Sequence, residues 1–181
     1  MGEARRPWRA LRRDSDLAAL VLRCSMGPML VAHGYNHLFG PGGLEGTSRW
    51  FARLGLRPGK LHASLAAATE ISSGALMTVG ALGPLPEVGV IGLMTTAGRT
   101  DHRDKGFFIF KGGWEYVAVV GAASAALAAI GHGTWSVDHL IGNTRRGLLN
   151  AALASSLGIA SAFALLKASY RPGPEDGSDP D

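Results

Sequence analysis

The chain has 181 residues, enough for one compact domain and too few for two ordinary ones. Its net charge of +4 does not indicate a nucleic-acid partner, because the basic residues form no continuous stripe with interleaved aromatic side chains. The single cysteine, Cys24, excludes an intrachain disulfide and a redox-cycling thiol pair.

The chain begins with a basic lead over residues 1–16, followed by an apolar run from about Leu17 to Phe39. The lead is interpreted either as an amphipathic segment on an anionic bilayer surface or as a disordered basic tail. The apolar run is long and no small-residue cleavage site closes it, so it predicts a retained anchor helix. Arg23, its only formal charge, is expected to snorkel outward, with pairing to Asp138 as the alternative.

A second element, Leu44 to Lys60, is too short and too charged to span a bilayer. It predicts an interfacial helix whose apolar side chains face lipid, namely Trp50, Phe51, Leu54 and Leu56. Four further apolar segments predict spans at about Leu61–Gly83, Leu85–Thr100, Trp114–Ile130 and Leu148–Leu166. The tail over residues 169–181 lacks the apolar content to fold and is predicted to be disordered.

The predicted fold is therefore an all-α integral membrane protein. Residues 17–140 form a four-helix bundle, and residues 141–168 add a connector and a fifth transmembrane helix that closes the bundle or meets a partner subunit. The arginines of the lead predict a cytoplasmic N-terminus in the cell membrane, although the loops on the opposite side carry more lysine and arginine.

Helical spacing places His33 and His37 on one face, one turn apart, and Glu70 lies within the next span. An ionised carboxylate in hydrocarbon is disfavoured by a few kcal/mol, so Glu70 is expected to stay protonated or to pair. The histidines have several alternative roles: pairing with Glu70, binding a quinone carbonyl, ligating a metal or haem, or structural hydrogen bonding.

Alternating helix directions bring further ionisable groups to this half of the bundle, namely His62, His102 and Glu115. His102 and Glu115 lie nearer water, where a loop-bracing role is the alternative. His132, Asp138 and His139 belong to the opposite face and are excluded from this site.

Several motifs occur in a fixed order along the chain: His33-Gly34 with Leu38, Gly-Leu-Arg-Pro at 55–58, Glu70 before Gly74, Met94 and Ala97 before His102, Glu115, and Gly131-x-Gly133-x-x-Ser136-x-Asp138. Over about residues 17–140 they resemble the DoxX family of small membrane proteins. The resemblance implies a four-helix membrane protein; some members are subunits of thiosulfate:quinone oxidoreductase, and others are associated with oxidative-stress and thiol-handling complexes. Two features depart from that pattern: Asn36-His37 where many members have a lysine, and the fifth helix.

The resemblance and the polar cluster together predict a membrane subunit of a quinone-linked or thiol and oxidative-stress oxidoreductase system. Glu70, His33 and His37 are the candidate catalytic residues. The candidate cofactor-binding set is His33, Asn36, His37, Glu70, His102 and Glu115. A quinone is favoured over a haem, and no metal site is predicted. The expected partners are the lipid bilayer and other subunits through helix five, without nucleic acid; the alternatives are a non-catalytic accessory subunit and a small-molecule or lipid carrier.

Overall fold

The computed structural model describes residues 7–172, with side chains from residue 14 onward. Within this part of the chain lie seven α-helices: α1 (Pro7–Phe39), α2 (Gly43–Arg53), α3 (Gly59–Val79), α4 (Leu85–Arg99), α5 (Glu115–Ile130), α6 (Val137–Leu140) and α7 (Leu148–Ser169). A 3-10 turn covers Ile109–Lys111, and the described residues contain no strand, only an isolated bridge between Leu56 and Tyr170. The predicted all-α class is confirmed.

The helix bounds differ from the predicted ones at both ends of the chain. Helix α1 begins at Pro7, inside the predicted basic lead, whose first six residues lie outside the described part, as do the side chains of residues 7–13. Most of the acidic tail, residues 173–181, also lies outside it. The described start of that tail is held in place, because the N–H of Arg171 donates to the carbonyl of Gly55 at 2.7 Å.

Helix α3 ends at Val79, four residues before the predicted end of the second span at Gly83. The reason is Gly80, which has φ 67° and directs its N–H back to the carbonyl of Met77. A left-handed glycine at this position is a common helix terminator because it carries no Cβ. Helices α3 and α4 are thus joined by a short connector of residues 80–84.

Helix α2 does not direct its apolar side chains to lipid, and that prediction is wrong. Phe51 and Leu56 are only 9% and 3% exposed, in a cluster with Ala63 and Ala66 of α3, and Trp50 and Leu54 pack against the same cluster. The close packing depends on Gly59, where a Cβ atom would collide with the carbonyl oxygen of Ser48. Helix α2 therefore folds back onto the start of α3.

Helices α1 and α3 cross where two glycines meet. A methyl group on Gly27 would lie 2.7 Å from the carbonyl oxygen of Gly74, and one on Gly74 would lie 2.5 Å from that of Gly27. Small residues permit this backbone contact, which is a common way for apolar helices to associate. Around the crossing, α1, α3, α4 and α5 contribute one core, formed by Ala19, Met26, Leu30, Met77, Val90, Met94, Val117, Val120 and Leu127.

Helix α7 packs against α4 and α5 and so closes the bundle, one of its two predicted roles. A methyl group on Gly158 would lie 2.8 Å from the carbonyl oxygen of Val88, so α7 also approaches α4 through a glycine. Its outward face carries exposed leucines, namely Leu148, Leu149, Leu153 and Leu157. The contact with a partner subunit stays a prediction.

Two helical segments among the described residues are long and apolar enough to cross a membrane. They are Asp14–Phe39, with mean hydropathy 1.4, and Leu148–Ser169, with mean hydropathy 1.7. Helix α5 (Glu115–Ile130) is a shorter apolar helix.

Arg23 is buried within the bundle, so the expected outward snorkelling is wrong. Its side chain is 2% exposed and donates to four carbonyl oxygens, of Met77 at 2.9 Å, Thr78 at 2.9 Å, His132 at 2.7 Å and Trp135 at 2.9 Å. The last carbonyls of a helix have no partner within it, and the guanidinium supplies donors for those of α3. The direct pairing with Asp138 is not observed among the ion pairs of the described residues.

Candidate functional site

A cavity of about 460 Å³ lies at the end of the bundle where α1 ends and α3 begins. Residues from α1, α2, α3, α4, α5 and α7 line it, and most of its surface is apolar. Its ionisable lining residues are His33, His37, His62, Glu70, Asp101, His102 and Tyr116. The alternating helix directions therefore bring ionisable groups from three helices, α1, α3 and α5, and from the loop after α4 to the same end of the molecule.

Glu70 and His37 form the centre of this group. Nε2 of His37 lies 3.4 Å from Oε2 of Glu70, and the carboxyl side chain is 8% exposed. The contact lacks hydrogen-bond geometry, so Oε2 has no hydrogen-bond partner within the described chain. The imidazole stacks on Trp50 with ring centroids 5.9 Å apart and meets the edge of Phe51 at 5.8 Å. Helix α2 thus holds His37 beside a carboxyl group with free hydrogen-bonding capacity.

His33 lies one turn before His37 and faces α5. The hydroxyl of Tyr116 is 3.5 Å from Nε2 of His33, and the two ring centroids are 5.9 Å apart. An aromatic residue at the start of a span is typical of an interfacial aromatic belt, whereas the structure places Tyr116 in the cavity wall. The sequence signal for a place of Tyr116 near the site was its position directly after Glu115, at the start of a span.

His62 is a cavity residue that was not among the predicted site residues, although topology placed it in the same half of the bundle. It lies in the first turn of α3 and is 4% exposed. Its Nε2 has no hydrogen-bond partner in the part of the chain that the structure describes. A histidine near the start of an apolar helix, on the side of a predicted polar site, was the sequence signal.

His102 lines the cavity and also braces the loop after α4. Its Nδ1 lies 2.7 Å from the carbonyl oxygen of Gly112. A proton on Nδ1 donates to that carbonyl, which leaves Nε2 of the neutral ring as an acceptor. Nε2 is 3.8 Å from Oδ2 of Asp101, whose other oxygen pairs with Lys105 at 3.2 Å.

The structure does not bring Asn36 and Glu115 into the cavity. Asn36 is exposed, because the residue before His37 points about 100° away around the helix. Glu115 is half-buried at the first position of α5 and is not part of the cavity lining. The catalytic and binding roles of the other predicted residues stay predictions.

A second buried polar cluster lies at the opposite end of the bundle, the end predicted for His132 from the sequence. Nε2 of His132 lies 2.8 Å from Oε1 of Glu87, and Nδ1 lies 2.8 Å from Oδ2 of Asp138. Asp138 also accepts the backbone N–H groups of Leu82 and Gly83. The cluster therefore ties the connector between α3 and α4 to the loop after α5.

The buried polar cluster shifts the pKa values of His132 and Asp138 in opposite directions. Burial lowers the pKa of His132, but hydrogen bonds and charges from Glu87 and Asp138 outweigh it, and the net effect is a raised pKa. Burial raises the pKa of Asp138, but hydrogen bonds from Gly83, Asn143 and His132 outweigh it, and the net effect is a lowered pKa. Both shifts favour a charged pair.

The cavity has the chemistry of a site for an amphipathic molecule. Its volume is within the usual range for small-ligand sites, with apolar walls and a few convergent polar groups. Leu65 lines it and is 45% exposed, so the cavity reaches the surface beside an apolar side chain. Among the described residues no group of three or more His, Cys, Asp or Glu side chains is arranged to hold a metal ion.

The fold and the cavity define a class of protein: a helical bundle with membrane-length apolar helices and a partly polar internal site. Residues 18–103 match the family model described as DoxX, and the chain belongs to the DoxX family of membrane proteins. No curated protein and no solved structure matches the chain. The family assignment made from the sequence is confirmed, over a shorter region than residues 17–140. His33, His37, His62, Glu70 and His102 lie inside the matched region, whereas Tyr116 and α7 lie outside it.

Proposed function

We propose that this protein is an integral membrane subunit of a quinone-linked oxidoreductase system and binds the quinone headgroup in the 460 Å³ cavity. In this proposal α1, α3, α4 and α5 cross the membrane as a four-helix bundle, and α7 is the fifth span. The observation that supports it most is the free oxygen Oε2 of Glu70, which lies 3.4 Å from His37 in a largely apolar cavity.

Reduction of a quinone to a quinol adds two electrons and two protons, one proton to each carbonyl oxygen. A protonated Glu70 donates a hydrogen bond to one carbonyl and then its proton, and His37, once protonated from solvent, is close enough to return a proton to the carboxylate. The second carbonyl oxygen takes its proton from solvent. The electrons come from a partner subunit that carries a redox group. The proposed role of this chain is to bind the headgroup and to move protons.

The apolar part of the cavity suits the remainder of such a molecule. Leu93 of α4 and Leu165 of α7 line it beside Leu65. Contact of a ring and its hydrocarbon tail with these side chains contributes binding free energy in proportion to the apolar area buried. Because Leu65 is also surface-exposed, a ligand dissolved in the bilayer has a path along apolar side chains.

Fluorescence of Trp50 tests the proposal, because this residue lines the cavity and stacks on His37. The protein is placed in lipid nanodiscs as a single-tryptophan variant, with the other three tryptophans, Trp8, Trp114 and Trp135, changed to phenylalanine. Titration with 2-decyl-1,4-benzoquinone is expected to quench Trp50 saturably. A variant retaining only Trp135, which lies beyond α5, measures quenching by quinone dissolved in lipid.

Glu70→Leu is expected to weaken the quinone affinity measured by saturable quenching of Trp50 at least tenfold. The substitution replaces the hydrogen-bonding carboxyl group by an apolar side chain of similar size. Glu45→Leu is the matched control, because the side chain of Glu45 is 69% exposed on α2, away from the cavity lining. Quenching that does not saturate, or that responds equally to both substitutions, would contradict quinone binding in this cavity.

A second candidate function, a non-catalytic accessory subunit, is supported by the exposed leucines of α7. An accessory subunit purifies in stoichiometric complex with its partners and tolerates Glu70→Gln and His37→Ala. Loss of quinone-dependent activity with intact assembly would contradict that role. A small-molecule or lipid carrier, the third alternative, would retain phospholipid in native mass spectra after detergent exchange.

A further inference from the structure

His62 is a buried polar group that the proposed function does not yet use. Three buried side-chain atoms among the described residues have no hydrogen-bond partner: Nε2 of His62, Oε2 of Glu70 and Oε2 of Glu87. The first two belong to residues that line the large cavity. A buried polar atom without a partner destabilises the folded state, so two of them in one cavity indicate that its occupant supplies the missing partners.

His62 and Glu70 lie at different levels along α3. His62 and Glu70 are eight residues apart on α3, which corresponds to a rise of about 12 Å along the helix. Between these positions the cavity wall consists of Leu65, Ala66 and Thr69. The occupant therefore meets a polar group at one level, a mainly apolar wall, and a second polar group nearer the start of α3.

We infer that His62 binds a second polar group of the ligand, so that the ligand is a ring with oxygen atoms on opposite sides, as in a para-quinone. This inference rests on the proposed function and names the substrate class of that site. One oxygen is bound at Glu70, the other at Nε2 of His62, and the ring lies against the wall between them. Nε2 of a neutral imidazole donates or accepts according to the tautomer, so it binds a carbonyl or a hydroxyl.

This arrangement separates a para-dioxygenated ring from a ligand with one polar end. A monoketone satisfies only one of the two unpartnered atoms and leaves the other buried. Discrimination of this kind is strong when a site is built around hydrogen bonds, because the wrong ligand leaves a polar group unpaired. His62 is thus a specificity-determining residue.

Competition against quinone quenching of Trp50 tests the inference in the single-tryptophan protein. The competitors are 2-decylcyclohexane-1,4-dione and 2-decylcyclohexanone, which share ring and tail and differ by the opposite carbonyl. We expect the dione to compete about tenfold better in the parent protein, the effect of one further hydrogen bond. In His62→Leu the two competitors are expected to be equal, and in His62→Gln, which keeps a side-chain amide, part of the preference returns.

The controls keep this test separate from folding and from the proposed function. His139→Leu, at an exposed histidine on the opposite end, is expected to keep the full preference for the dione. Saturable quenching with no preference in the parent, or with a preference that survives in His62→Leu, overturns the role of His62 and leaves quinone binding intact. Absence of saturable quenching in the parent overturns the proposed function and this inference with it.

Discussion

A methyl group on Gly34 would lie 3.0 Å from Cβ of Glu70 and 2.8 Å from the carbonyl oxygen of Ala67. Helix α1 therefore touches α3 at the level of the candidate site, and Gly34 is the residue that makes the contact sterically possible. His33 and His37 flank this glycine on the cavity side. The His-Gly pair of the sequence is explained by this geometry: the glycine allows the approach that brings imidazoles to the carboxyl group.

We expect Gly34→Ala to push α1 away from α3 and to destabilise the protein by about 1–3 kcal/mol, the usual effect of overpacking. Gly121→Ala is the matched control, because a Cβ at Gly121 would meet Cβ of Met94 at 3.9 Å, an ordinary contact. Unfolding in detergent measures the stability, and quinone quenching of Trp50 measures the site. Equal stability of the two variants would show that the contact between α1 and α3 at Gly34 has room for a methyl group, and would contradict this prediction.

Arg23→Lys is expected to destabilise the protein by about 3 kcal/mol, although it preserves the charge. The guanidinium donates to four carbonyl oxygens from two parts of the chain, and an ammonium has only three donors on a differently shaped head. Thermal unfolding compares this variant with Arg49→Lys, at a side chain 62% exposed. A change no larger than that of Arg49→Lys would contradict a structural role for Arg23.

The cluster around His132 predicts a pH dependence of stability. Because the pKa of His132 is raised above 6.5, its stabilising contribution is complete below about pH 6.5 and is lost as the pH rises through the raised pKa. Because the pKa of Asp138 is lowered below 3.8, its contribution is complete above about pH 3.8 and is lost as the pH falls through the lowered pKa. Thermal stability is therefore expected to be greatest between about pH 4 and 6.5 and to decline on the alkaline side.

Melting temperatures in detergent from pH 4 to 9 measure this profile. His132→Gln is expected to flatten the alkaline decline, since glutamine does not titrate, whereas His139→Gln should keep the profile of the parent. The charged groups around the imidazole are Glu87 and Asp138, and Arg23 donates to the His132 carbonyl. An alkaline decline that persists unchanged in His132→Gln would assign it to another group.

Gly158→Val is expected to separate α7 from α4, because even a methyl group there would lie 2.9 Å from Cβ of Ile91. Ser161, Ala162 and Leu165, which follow Gly158 on α7, line the cavity, so their displacement should also weaken quinone binding. Ala160→Val, at an exposed position of the same helix, is the control. If both variants retain the stability and binding of the parent, α7 contributes nothing to the cavity.

Much of the candidate site was predictable because it depends on helix direction. Apolar runs and the breakers after Phe39 and around Pro84 predict successive antiparallel helices, and these place His33, His37, Glu70 and His102 at one end of the bundle. The contribution of Tyr116 was missed, because an aromatic residue at the start of a span has the same pattern whether it faces lipid or protein. The position of Asn36 outside the cavity was predictable from helical spacing, because Asn36 lies about 100° around α1 from His37.

The sequence by itself determined the helical class and the end of the bundle that collects ionisable groups, since these follow from apolar periodicity and alternating direction, and its ordered motifs indicated the family by resemblance. Only the tertiary structure decided that α2 turns its apolar face inward, that Arg23 is buried among carbonyls, and that His62 and Glu70 hold unpartnered atoms in one cavity. The physical reason is that lipid and protein interior are equally apolar, so a hydrophobic pattern cannot distinguish them. The partner of a buried polar atom comes from a segment distant in sequence, and only packing places the two together.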